Sequence, residues 1–65
     1  MSVKDERTKA KNFFREEGIG CSVENENSGR EVRRTSNTEY TLYQDERRVK
    51  RVKNVDLALD FLFNE

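Results

Sequence analysis

The chain has 65 residues, of which 40% are charged, yet its 13 lysines and arginines are balanced by 13 aspartates and glutamates. A chain this short has room for one hydrophobic core and buries only about 60% of the surface it exposes when unfolded, so one small domain over residues 1–65 is expected. Leu, Ile, Val and Phe supply 15 residues and the net charge is zero, a combination that excludes the high-charge, apolar-poor class of disordered chains.

Residues 2–17 read as a helix. Val3, Ala10, Phe13 and Phe14 fall on one stripe at helical spacing. Ser2 can cap the start, with Asp5 and Glu6 near the positive end, and Gly18 suits the left-handed residue that closes a helix. The period then changes. Ile19, Cys21 and Val23 alternate with Gly20, Ser22 and Glu24, the pattern of a half-buried strand. Residues 25–29 are a polar turn cluster, and 30–35 form a weak second strand whose one apolar residue is Val32. After the turn at Ser36 and Asn37, residues 38–44 give the clearest strand, with Tyr40 and Leu42 on one face.

Asp45 and Glu46 make the next turn, and 47–53 are a fourth strand. Val49 and Val52 stand three apart and cannot both face the core in regular pleating, which predicts a bulge or a bend. Asn54 can cap a final helix over 55–63, in which Val55, Leu57, Ala58, Leu59, Phe61 and Leu62 share a broad arc opposite Asp56 and Asp60. The expected fold is α+β: an N-terminal helix, a three- to four-stranded antiparallel meander and a C-terminal helix, with both helices packed on one sheet face.

Residue chemistry gives little to an enzyme. There is no histidine, which removes the usual general base near neutral pH and the commonest metal ligand. Cys21 is the only cysteine and falls on the expected buried face, where a structural role suits it. Asp56 and Asp60 share a helix face at i and i+4, but that face must meet water. Residues 24–29 open like a calcium loop, yet Glu24 replaces the first aspartate and Thr35 stands where the bidentate glutamate belongs. Gly18-Ile19-Gly20 lacks the third glycine of a dinucleotide fingerprint, since Val23 occupies it. No catalytic residue, metal or cofactor is expected.

With one cysteine no intrachain disulfide can form, whereas small secreted domains usually depend on several. No apolar run follows the first charges, so no secretory leader is expected. Apolar stretches such as Leu57-Ala58-Leu59 fall far short of the ~20 residues of a membrane span. A cytoplasmic protein with no membrane partner is the expectation.

The charges are unevenly placed. Residues 30–53 hold eight basic side chains against four acidic ones, whereas 54–65 hold three acidic and no basic ones. If Tyr40 and Leu42 face the core, Arg33, Thr41, Tyr43, Arg48 and Lys50 are expected together on the outer face of the sheet. Such a face could meet phosphates and bases, making nucleic acid one candidate partner. The other candidate is a protein, either a different chain or a second copy in a homodimer. The last helix is apolar over more than half its circumference, and Leu57, Phe61 and Phe63 exceed what a chain this small is expected to cover. The main expectation is a small non-enzymatic protein-interaction or regulatory module, for which self-association through the C-terminal helix is one mode open to it. Nucleic-acid binding by the basic sheet face is the alternative.

Overall fold

The computed structural model describes residues 3–63. Its elements are α1 (Val3–Glu17), β1 (Ser22–Asn25), β2 (Arg30–Arg34), β3 (Tyr40–Gln44), β4 (Arg47–Val52) and α2 (Val55–Phe63). The strands form one sheet in the order β1-β2-β3-β4, each antiparallel to its neighbour. That order follows from the connections, since parallel pairing would need a crossover of a dozen residues or more. The fold is the α+β arrangement expected from the sequence.

In α1, Ala10 and Phe14 are buried while Phe13 stays partly exposed. The expected cap Ser2 and the side chain of Val3 lie outside the described residues. Gly18 closes the helix at φ 77°, its N–H donating to the Phe14 carbonyl at 3.1 Å. Gly20 also has positive φ, 95°, so the chain is still turning where a strand was expected. The regular ladder with β2 begins at Ser22, after Gly20 N–H has donated to the Arg34 carbonyl and Arg34 N–H to the Cys21 carbonyl, and Ile19 is left 57% exposed rather than facing the core. Cys21 and Val23 keep their alternation and pack half-buried against the core.

Val32, Tyr40 and Leu42 point to the helix side of the sheet, with Val32 directly opposite Leu42. Ala58, Leu59 and Leu62 of α2 are fully buried over them, and α2 lies across all four strands while α1 packs on α2. Phe14 meets Tyr40 edge to face, with ring centroids 5.4 Å apart, an arrangement worth about 0.5–1.5 kcal/mol beyond burial. Asn54 caps α2 as expected, its Oδ1 accepting from the Asp56 N–H at 2.7 Å.

β2 looks weak in the sequence because two of its three inward positions hold arginine. Those arginines close the two helices. Arg34 donates from Nη1 to the Phe14 carbonyl of α1 at 2.6 Å. Arg30 donates from Nη1 to the Phe61 carbonyl of α2 at 2.7 Å, and its guanidinium lies 4.8 Å from the centre of the Phe61 ring. The last turn of α2 has no basic residue of its own, so Arg30 brings positive charge to the negative end of that helix. Asn25 adds a bond from Nδ2 to the Leu62 carbonyl at 2.8 Å. Among the described residues the Arg34 Nε is buried without a partner. That costs about 1–3 kcal/mol, which a charge-assisted bond of about 1.5–3 kcal/mol offsets.

The irregularity expected in the fourth strand is a bulge. Lys50 pairs with Leu42 and Arg48 with Tyr43, leaving Val49 as the extra residue, 52% exposed. The bulge lets Val52, opposite Tyr40, face the helices. No helix among the described residues is long and apolar enough to cross a membrane.

Candidate functional site

The outer face of the sheet carries fewer available groups than the sequence suggests. Arg33 is held by Glu31, with Nε 2.9 Å and Nη2 3.4 Å from its two carboxylate oxygens. It also lies 4.4 Å from the centre of the Tyr43 ring. The bound Glu31 carboxylate pushes the Arg33 guanidinium still higher than its ordinary pKa, so it remains a cation. Thr41 does lie on this face, but it is only 4% exposed, sits in register between Arg33 and Arg51, and donates to Thr35 Oγ1 at 3.4 Å. It is closed to a ligand. Glu39 balances Arg51 at 3.8 Å, and Glu24, Glu26, Glu31, Asp45 and Glu46 line a concavity at one end of the same face.

Lys50 is not on that face. Because β4 is bulged at Val49, Lys50 stands opposite Leu42 and points to the helix side, while Arg48 and Arg51 stand opposite Tyr43 and Thr41 on the outer side. The expected quintet of Arg33, Thr41, Tyr43, Arg48 and Lys50 is therefore split. Arg33, Tyr43 and Arg48 remain neighbours, Thr41 is sealed between Arg33 and Arg51, and Lys50 is on the other side of the sheet. A one-residue bulge reverses every side-chain direction on one side of it.

The positive charge gathers along β4 itself. Residues 47–53 hold Arg47, Arg48, Lys50, Arg51 and Lys53 and no acidic residue. Among the described residues, no ion pair or side-chain hydrogen bond joins Arg47, Arg48, Lys50 or Lys53 to anything. β4 is also an edge strand, so its outer row of backbone N–H and C=O groups has no strand beside it in the described residues.

On the helix side, β4 borders an open groove of about 340 Å³ formed with α2. Its apolar surface comes from Leu42, Val52, Leu57 and Phe61, and its polar rim from Arg30, Lys50 and Asp60. Leu57 is 53% exposed, the least covered leucine of the protein, because α2 is centred over β2 and β3 and its β4-facing flank has no helix beyond it. Phe61 is partly covered by the Arg30 guanidinium. Phe63 does not join them. It lines a separate groove with α1 and β1, beside Ala10, Phe13 and Val23. The three residues expected to form one apolar patch thus divide between the two flanks of α2, as the 100° step of a helix requires for positions 61 and 63.

Asp56 and Asp60, which read as a solvated helix edge, tie the helices together. Arg7 of α1 lies 2.7 Å from Asp60 and 3.9 Å from Asp56, and Lys11 lies 3.4 Å from Asp56. These exposed pairs stabilise by at most about 1 kcal/mol each. Burial pushes the Cys21 thiol above its ordinary pKa, with the nearby Arg34 charge opposing, so it stays a protonated and sluggish nucleophile near neutral pH. No group of three or more acidic or cysteine side chains among the described residues is arranged to hold a metal ion.

The helix-closing arginines and the β4–α2 groove escape a reading of hydrophobic period alone. Two arginines two residues either side of Val32 were the available signal for the first. For the groove, the signal was an arc on 55–63 wider than one sheet can cover. No family model, curated protein or solved structure matches this chain.

Proposed function

We propose that this chain is a small non-catalytic protein-interaction module whose working surface is the edge strand β4 together with the groove between β4 and α2. One observation carries the reading: the unneutralised cations of β4 adjoin a groove whose apolar walls are the exposed Leu57 and half-buried Phe61 of α2 and the half-buried Val52 of β4. Apolar surface rimmed by charge is the usual composition of a partner site. The lack of histidine and the raised pKa of the Cys21 thiol support the non-catalytic reading. The lone cysteine fits a reducing compartment such as the cytoplasm. Self-association through α2 has weaker support, because Ala58, Leu59 and Leu62 are already occupied inside the fold.

A photo-cross-linking residue at position 57, compared with one at position 33 on the outer face, tests this reading in lysate of cells expressing the chain. The expected result is protein adducts from position 57 that survive nuclease treatment, with none from position 33. Adducts from position 33 instead, or adducts from position 57 destroyed by nuclease, would overturn it.

Nucleic acid is the second reading, favoured by five cations within the seven residues 47–53. It predicts binding that weakens with log salt by about 0.7–0.9 per phosphate contacted. Glu31 on β2 and Glu39 just before β3, with the acidic concavity at one end of the face, confine that attraction to one strand of the sheet.

A further inference from the structure

Resting on the reading of β4 and its groove as a protein-binding surface, we infer that β4 accepts an extended acidic segment of another protein as a fifth strand, with acidic side chains alternating with apolar ones. Three features of the molecule specify this occupant.

The first is the open ladder. β4 ends the sheet, and an added strand would satisfy its outward backbone groups, the geometry of strand addition. The second is the pattern of side chains on the two faces. Beside β4, an added strand has its outer-face residues next to Arg48 and Arg51 and its inner-face residues next to Lys50, Val52 and the Leu57–Phe61 groove. Successive side chains of a strand point to opposite faces, so carboxylates suit every second position and apolar groups the positions between. Asp60, on the far rim of the groove, is already held by Arg7 at 2.7 Å and does not compete for Lys50.

The third feature is what the edge rejects. A second copy pairing through β4 would set Arg47, Arg48, Lys50 and Arg51 against their own counterparts, and like charges directly opposite destabilise a ladder. Nucleic acid would find the cations but would leave the groove unused, and its second backbone would meet the paired and acidic groups of the outer face. An acidic, apolar-alternating strand uses the backbone, the cations and the groove together.

The test is a titration of the isotope-labelled full chain, followed by amide NMR, with a peptide of about eight residues alternating glutamate and valine, long enough to span β4. Three comparisons accompany it. One is a peptide of the same composition with its glutamates and valines in separate blocks. Another is the alternating peptide N-methylated at every second residue, and the last is a single-stranded oligonucleotide of equal charge. The expected outcome is shifts centred on residues 47–53 and 57–61, slowed exchange of β4 amides, and affinity at least about tenfold above that of the blocked peptide. N-methylation on the β4-facing edge should abolish binding. Arg48→Glu with Lys50→Glu should weaken it about tenfold or more, and Leu57→Asp, on the other wall, should weaken it independently. Among the described residues Arg48 and Lys50 have no ion pair or side-chain hydrogen bond and Leu57 is about half exposed, and unchanged amide dispersion in each variant establishes that the fold survives.

Equal binding of the alternating and blocked peptides would overturn strand addition in favour of bulk charge attraction. Tighter binding of the oligonucleotide would overturn it in favour of nucleic acid. Oligomers of the free chain that occlude β4 would overturn it in favour of self-pairing. Failure of the peptide, while position 57 still cross-links to protein, removes strand addition and leaves the module reading standing. Failure of both removes both.

Discussion

β1 and β4 both end the sheet, but they resist unwanted pairing by different means. β1 is four residues long, carries one carboxylate, and has its last residue, Asn25, bonded to the Leu62 carbonyl of α2. β4 is six residues long, carries four cations and no anion, and is broken by the bulge at Val49. Shortness refuses every partner alike. Charge refuses only its own kind and leaves the edge open to the opposite sign. In a chain with no net charge, the sheet is therefore chemically one-sided across its width.

The strongest way to break the comparison is to remove the layer that supports both edges. Leu59→Ala, at a fully buried position over Val32 and Leu42, should cost about 2–5 kcal/mol. For a domain of this size that should leave much of the chain unfolded in water, read as a lost or greatly lowered urea midpoint. Next come the two side chains that fasten α2 to either half of the sheet. Arg30→Met removes a charge-assisted bond to the Phe61 carbonyl and another to Gln44 Oε1, with an expected loss of about 1.5–3 kcal/mol. Asn25→Ala on the β1 side removes one neutral bond and should cost about 1 kcal/mol. Equal losses in urea melts would contradict the asymmetry.

A smaller effect, of opposite sign, is expected at the turn that leads into β4. Asp45 and Glu46 both have positive φ, 51° and 70°, as a two-residue hairpin turn of the primed type demands. Replacing them with Asn and Gly should raise stability by about 1 kcal/mol, seen as a higher melting temperature. The smallest effect sharpens the contrast most. Arg48→Gln with Lys50→Gln should change stability by less than about 0.5 kcal/mol, because among the described residues neither has an ion pair or a side-chain hydrogen bond. The same variant should self-associate more readily at low salt in sedimentation, since the edge has lost its repulsion.

Much of this fold is legible in the residues, and the exceptions have identifiable causes. Asn54 and Gly18 mark helix ends through local bonds that need no tertiary partner. The Tyr40–Leu42 alternation fixes the face of β3 because both residues find the core. The spacing of Val49 and Val52 signals an irregularity but not its position, and the face of Lys50 depends on that position. Ile19 fits a strand by alternation, yet the positive φ of Gly18 and Gly20 on either side of it keeps it out of the regular ladder. Arg30 and Arg34 read as surface residues on sequence alone, because an inward arginine makes sense only once a helix end with open carbonyls has been placed beside it. The candidate site was half visible: a basic segment and a surplus apolar helix could be named, but their meeting along one edge depends on how α2 lies across the sheet.

The tips of the β1–β2 and β3–β4 hairpins are also clasped. The Asp45 N–H donates to the Gly29 carbonyl at 2.8 Å, and Gln44 Nε2 donates to the Ser28 carbonyl at 2.8 Å. The Asp45 carboxylate fills the space that a side chain on Gly29 would take, and Gly29 holds φ at 70°. Anything that tugs on the entry to β4 is therefore transmitted to the loop at 25–29 on the opposite half of the molecule. A fluorophore on that loop, which is bonded directly to the entry of β4, is the place to look for a signal when the proposed partner strand is added.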